Sequence, residues 1–306
     1  MKFAVLAILL LFAASGGALN LRGRVRHRAM RQAFDHSILM APINVFIYLF
    51  SAVPTAPYHD IRNFPELRRL TSQWRQIAAE GRRLMELEKI QAAQQNNDAG
   101  FNSFFKTGWK RFYLKWYDDA HPSAAKLCPV TTALLRDMPT VKAAMFALLP
   151  HGGVLNPHRD PYAGSLRLHL GLATPNDDRC FIEVDGQRYS WRDGEPVIFD
   201  ETFIHWAENR SGQDRLILFC DIERPMRWRW AQAVNRWIGR TIVAAASSPN
   251  EAGDRTGFIN RIFVVSFVMG KYRRRFKRWN PAVYRATKAG LLVGALAALA
   301  AWIAAG

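Results

Sequence analysis

The chain has 306 residues, enough for one catalytic domain of ordinary size with further elements, and its 49% hydrophobic content excludes global disorder. Its 42 Lys and Arg against 25 Asp and Glu give a net charge of +17, which suits a polyanionic partner: nucleic acid, an anionic membrane surface or a phosphorylated substrate. The three cysteines, Cys128, Cys180 and Cys220, leave one over in any pairing and belong to no CxxC or Cys/His cluster, which argues against a disulfide framework and structural zinc.

Residues 3–19 are uncharged and are followed at once by Arg22, Arg24, Arg26, His27, Arg28 and Arg31. A cleaved signal peptide carries its positive charge ahead of the apolar run, where only Lys2 stands here. Residues 1–21 are therefore expected to be a retained membrane anchor whose basic C-terminal flank lies in the cytoplasm. Residues 40–53 (MAPINVFIYLFSAV) are a second apolar stretch, too short to span a bilayer and expected to be interfacial or buried. In residues 64–95, Leu67, Leu70, Trp74, Ile77, Leu84 and Leu87 recur at helical spacing, and residues 96–100 read as a linker. Residues 22–103 thus form a basic, apolar and helical membrane-proximal region.

From residue 104 the pattern changes to short β-like pieces at 112–114, 144–149, 166–172, 180–184, 197–199 and 216–222. Turn signals separate them at Gly152-Gly153, Pro175-Asn176-Asp177, Asp185-Gly186 and Asp193-Gly194. Such a series predicts a mainly β core, a sandwich or jelly roll, over residues 104–226. After Pro225 the chain turns helical and cationic-aromatic, with Arg227, Trp228, Arg229, Trp230, Arg236, Trp237 and Arg240, then a loop at 247–254 and an apolar stretch at 258–270. Lys271, Arg273, Arg274, Arg275, Lys277 and Arg278 close this membrane-proximal region, 227–288, before the uncharged run 289–306. Eighteen residues reach the lower limit of a transmembrane helix, with an interfacial or packed helix as the rival reading. Basic residues on the inner side of both terminal runs predict a catalytic region facing the cytoplasm at the inner membrane, and make nucleic acid the weaker explanation of the charge.

The chemistry concentrates at Pro157-His158-Arg159-Asp160-Pro161. Residues i and i+2 of an extended chain share a face, so His158 and Asp160 can offer a nitrogen and an oxygen to one metal ion. A third ligand is available from His205, 47 residues on (205 − 158), after a β-like run and a turn. Two histidines and one carboxylate on one face of an octahedron leave the open positions that non-haem Fe(II) oxygenases use for co-substrate and O2. In Leu166-Arg167-Leu168-His169-Leu170-Gly171-Leu172 the leucines occupy one face, while Arg167 and His169 share the other. A cation and an imidazole turned inward need an anion or a metal. Arg215 opens the strand-like RLILFCDI and is suited to clamp a carboxylate; a structural pair with Asp200 or Asp221 is the alternative.

The runs PHRDPYAGSLRLHLGL and GEPVIFDETFIHWAENRSGQDRLILFCDIERP resemble the aspartyl/asparaginyl β-hydroxylase family, and the likeness extends upstream to GWKRFYLKWYDDA, over residues 104–226. The resemblance implies a double-stranded β-helix (jelly roll) with flanking helices and, with the apolar ends, terminal membrane helices. It implies oxidation of a C–H bond with Fe(II), 2-oxoglutarate and O2. By position, His158 and His205 match the iron ligands and Arg215 the arginine that binds 2-oxoglutarate. Arg167 and His169 match accompanying co-substrate contacts. Two departures stand out. Asp160 completes a triad where the animal protein hydroxylases of the family have glycine, and Phe146 and Ala147 stand where a co-substrate-binding serine is expected. The whole layout looks most like the lipid A 2-hydroxylase branch.

Three readings follow: 2-hydroxylation of a secondary acyl chain of lipid A or another anionic lipid, β-hydroxylation of Asp or Asn in a protein, and a non-catalytic metal-binding membrane protein. The complete triad with Arg215 disfavours the last. The apolar ends and the Arg/Trp segment favour the first.

Overall fold

The computed structural model describes the chain except residues 1, 29–30, 33–34, 94–97, 118, 252 and 306, so residues 96 and 97 of the linker expected at 96–100 lie outside the described residues. Eleven strands are described: β1 (Tyr58–His59), β2 (Lys110–Trp116), β3 (Asp119–Ala120), β4 (Val141–Leu149), β5 (Val154–His158), β6 (Ser165–Ala173), β7 (Cys180–Val184), β8 (Gln187–Ser190), β9 (Pro196–Phe199), β10 (His205–Asn209) and β11 (Arg215–Glu223). They form a seven-stranded sheet in the order β1-β9-β6-β11-β4-β2-β3 and a four-stranded sheet in the order β5-β10-β7-β8. Neighbouring strands are antiparallel in both. This is the double-stranded β-helix expected from the sequence.

Alternation along the central strands decides where the core sits. Leu166, Leu168, Leu170 and Leu172 of β6, with Leu216, Leu218 and Ile222 of β11, point to the outer face of the large sheet. There they meet Ile77, Ala78 and Leu84 of the helix Trp74–Glu86. Gly81 permits this close approach: a Cβ on it would stand 2.9 Å from Leu216 Cδ2 and 3.2 Å from Phe146 Cε1. Each fully buried leucine contributes about 1.5–3 kcal/mol of transfer free energy. The inward positions of the same strands, Ile217 and Phe219 among them, join Cys180, Ile182, Val184, Trp191, Phe199 and Ala207 between the sheets. Arg167, His169 and Arg215 share that inner face and open onto a cavity.

The expected helix at 64–95 is broken into a 3-10 turn Pro65–Leu67, a short helix Arg68–Ser72 and Trp74–Glu86. Its buried positions include Leu67, Leu70, Ile77 and Leu84, as spaced, whereas Leu87 is exposed. The stretch at 40–53 forms the helix Ala41–Phe50, buried along Ala41, Asn44 and Ile47. The apolar stretch at 258–270 does not stop there: one helix, Phe258–Trp279, carries it through the basic residues, and Pro281–Ala305 follows after Asn280. Among the described residues one helix, Phe3–Leu21, is long and apolar enough to cross a membrane. Part of 289–306 lies outside the described residues.

Candidate metal centre and its pocket

Strand register brings the two histidines together. β10 pairs with β5 so that His205 stands opposite His158, and their rings lie 4.2 Å apart between centroids. Asp160 follows two residues after His158, its backbone N–H donating to Glu201 O at 2.8 Å. One donor atom from each of His158, Asp160 and His205 falls within 4.8 Å of the others. Each imidazole is turned by its own strand: Nδ1 of His158 donates to Asn156 O at 2.7 Å, and Nδ1 of His205 to Phe203 O at 3.0 Å. Nδ1 protonation leaves the Nε2 lone pair for the cluster. Burial, then the neighbouring His158, holds His205 down to about 3, so it is a neutral donor. Two imidazole nitrogens and one carboxylate oxygen are a donor set that Fe(II) accepts.

Arg167 does not reach an open space alone. Its Nη1 lies 3.0 Å from Asp160 Oδ2, Nε 2.9 Å from Asp221 Oδ1 and Nη2 3.7 Å from Glu201 Oε1. Burial raises Asp160, but Arg167 and the two histidines outweigh it and keep its carboxyl below the usual range. Glu201 and Asp221 are shifted the other way, upward, chiefly by burial. Arg167 is thus engaged by three acids while also lining the cavity.

Arg215 differs. It is 1% exposed, with its guanidinium 4.3 Å from the Trp191 ring, and Nε and Nη2 have no hydrogen-bond partner. Burial pushes it down to about 10. The pairing with Asp200 or Asp221 that the sequence left open is not formed: Asp200 is taken by Arg224 at 2.6 Å and Asp221 by Arg167. His169 is also buried with both ring nitrogens unpartnered, and burial, then Arg215 and Arg167, holds it well below its usual value. An unpaired buried guanidinium beside a neutral imidazole fits a bound carboxylate, which would satisfy donors that otherwise cost several kcal/mol. Ala147 lines the cavity where the resemblance expects a serine; Phe146 faces the outer core.

The cavity is lined by His158, His205, His169, Arg167 and Arg215 and is otherwise apolar. Phe104 stands over the His158 ring at 4.7 Å, and Leu155, Ile182 and Trp206 extend the wall. The sequence did not identify Phe104, Trp191, Glu201 or Asp221 as site residues. Of these only Asp221 had a signal, an acid inside an apolar strand.

Residues 71–225 match the model of the aspartyl/asparaginyl β-hydroxylase family. The ornithine lipid ester-linked acyl 2-hydroxylase of Rhizobium tropici is 31% identical over 180 residues, 58% of this chain and 64% of that protein. The aspartyl/asparaginyl β-hydroxylase of Mus musculus is 27% identical over 164 residues, 52% of this chain and 22% of that protein. The chain therefore spans less than two thirds of either relative. A solved prolyl-4-hydroxylase of Pseudomonas putida aligns at a TM-score of 0.35 and 20% identity, over 50% of this chain and 87% of that one.

Proposed function

The chain belongs to the aspartyl/asparaginyl β-hydroxylase family, and from that premise we propose that it is a membrane-associated Fe(II)/2-oxoglutarate-dependent hydroxylase of a lipid acyl chain. His158, Asp160 and His205 hold the metal, and Arg215 with His169 binds 2-oxoglutarate. Bound Fe(II) with 2-oxoglutarate and O2 supplies the oxidation of a C–H bond. The chain's own part is to orient both ligands and keep water out. Arg215 offers a planar fork to a carboxylate, and neutral His169 adds a hydrogen bond from the same wall.

The observation that carries the lipid reading is the cavity itself, whose polar groups lie at the cluster and at the Arg215 end while Phe104, Leu155, Ile182 and Trp206 line the rest. Such walls accept methylenes and offer an Asp or Asn side chain few partners. The apolar helix Phe3–Leu21 and the exposed Trp228, Trp230 and Trp237 support approach from a bilayer. We propose 2-hydroxylation of a secondary acyl chain of lipid A at the cytoplasmic face of the inner membrane. The relative named for ornithine lipid supports the broader class, an acyl 2-hydroxylase. Residues 104–226 form the catalytic domain in this reading, with the flanking regions next to the membrane.

Mass spectrometry of lipid A and ornithine lipids, from cells with and without the gene, tests this. One added oxygen on an acyl chain is the expected difference. Unchanged lipids together with an oxidised Asp or Asn in a peptide substrate would move the protein to the protein-hydroxylase reading.

A further inference from the structure

The helix Ala41–Phe50 lies outside the residues that match the family, yet it touches the backbone just after Asp160 and the side chains of the turn that precedes His205. Asn44 is 1% exposed. Its Nδ2 donates to Pro161 O at 2.8 Å and its Oδ1 accepts from Ala163 N at 2.9 Å, a two-point hold on the loop just after Asp160. One helical turn on, Tyr48 Oη donates to Asp200 Oδ2 at 2.7 Å. Asp200 is fully buried, accepts from Thr202 N at 3.0 Å, and pairs with the equally buried Arg224.

The turn that Asp200 opens carries two supports of the cluster. Glu201 O receives the Asp160 N–H and Phe203 O receives His205 Nδ1–H. The exit of the first helix adds to the hold. Arg22 donates to Thr202 and lies 4.3 Å from the Tyr48 ring and 4.1 Å from the Phe203 ring. Asn44 and Tyr48 stand four residues apart, which puts them on one face of the helix. A buried asparagine in an otherwise apolar helix persists where both halves of its amide are paired, and here both partners belong to a ligand loop.

We propose that Asn44 and Tyr48 are positioning residues of the metal centre, so that the segment between anchor and barrel completes the site as well as linking it to the membrane. This rests on the reading of His158, Asp160 and His205 as metal ligands. Outer groups that orient ligands change metal affinity by roughly 10–100-fold when removed. The loops would keep their chain path without the helix contacts while losing the fixed spacing of carboxylate and imidazoles.

The test uses full-length protein in detergent, with Co(II) as the probe, comparing wild type, Asn44→Ala, Tyr48→Phe and the core control Ile77→Ala. Ile77 is buried against the outer face of the large sheet, away from the cluster. Titration with Co(II) and its visible absorption bands are read beside the thermal unfolding midpoint. The expected result is about tenfold or weaker Co(II) binding, with altered bands, in both helix variants, while Ile77→Ala unfolds earlier and keeps the wild-type bands. Wild-type affinity and bands in the helix variants would overturn the proposal. So would an equal change in Ile77→Ala, since loss of stability alone would then account for it. If Asn44→Ala does not fold, Tyr48→Phe, which keeps the ring and removes one hydroxyl, decides. Wild-type protein that binds no Co(II) would sink the metal reading and this inference with it.

Discussion

Arg167 meets Asp160 with Nη1 3.0 Å from Oδ2, while its other two guanidinium nitrogens face Asp221 and Glu201. The planar fork can serve three acids at once, which a lysine ammonium cannot match in direction. Arg167→Met should therefore leave buried carboxylates uncompensated and cost about 3–5 kcal/mol. Arg167→Lys should fall between it and the wild type. Denaturant unfolding of metal-free protein measures this, and an unchanged midpoint in Arg167→Met would remove the arginine from the support of Asp160.

The triad itself predicts unequal losses. His158→Ala or His205→Ala should abolish Fe(II) binding and turnover, because each deletes one of three protein donors. Asp160→Ala should weaken binding less, since Arg167 then keeps Asp221 and Glu201 and both imidazoles stay in place. Anaerobic calorimetry separates these cases, and a His158→Ala protein that binds Fe(II) like the wild type contradicts the assignment.

Arg215 predicts an effect that changes sign with ligand. Without 2-oxoglutarate its Nε and Nη2 are buried and unpartnered, so Arg215→Met should leave stability unchanged or raise it. With 2-oxoglutarate the wild type gains stability from binding and the variant does not. Losing the clamp should weaken co-substrate binding by about 2–4 kcal/mol, and Arg215→Lys should lose less. Thermal shift at a series of 2-oxoglutarate concentrations reads all three. An equal shift in Arg215→Met would place the clamp elsewhere.

The large sheet was legible because its strands alternate cleanly. The leucines of β6 marked one face, and Arg167 and His169 marked the other. β5 (VLNPH) and β10 (HWAEN), which carry the histidines, were not legible as strands. Asn156, Pro157 and Asn209 have poor strand propensity, and only pairing within the small sheet makes these segments extended. The partners of Arg167 were hidden for another reason. Asp160, Glu201 and Asp221 lie 7, 34 and 54 residues away in sequence (167 − 160, 201 − 167, 221 − 167); strand pairing sets Asp221 opposite Arg167, and a loop-to-turn backbone hydrogen bond joins Asp160 to Glu201. Asn44 and Tyr48 could be seen as polar positions one turn apart in an apolar stretch, but nothing in the sequence named what they hold.

Acid should unfold the metal-free protein partly through Asp200. Burial pushes its carboxyl up, but Arg224 and Arg22, with hydrogen bonds from Thr202 and Tyr48, outweigh it and hold it down to about 2. The unfolded value is about 3.9, so the folded value is the lower one. Stability from this group is then full above about pH 4 and lost as pH falls through about 2, with a size on the order of 2 kcal/mol. Asp200→Asn should be less stable at neutral pH, because Arg224 stays buried without its partner, and should show a flatter loss between pH 4 and 2. The same acid slope in both proteins would assign the transition to other carboxylates.

The surface after the last strand tests the substrate class. Trp228, Trp230 and Trp237 are 58%, 53% and 63% exposed, and Trp230 packs on Phe46 and Phe50, which joins this belt to the helix that braces the metal cluster. The arginines between them are not equivalent. Arg236 pairs with Glu223 and Arg227 donates to Ser51 O, so neutralising either disturbs the fold as well as the charge. Arg229 has neither contact, which makes Trp228→Ser/Arg229→Gln/Trp237→Ser the cleaner variant. Burying roughly 60 Å² of apolar surface is already worth tenfold in a binding constant, so this variant should bind anionic vesicles at least about tenfold less well. Lipid turnover should fall with it, while Co(II) and 2-oxoglutarate binding stay as in the wild type. A protein hydroxylase has no use for such a belt, and its peptide turnover would not change. Undiminished lipid turnover in the variant would remove the belt from the mechanism, and turnover of peptide without lipid would remove the lipid while leaving the metal centre as described.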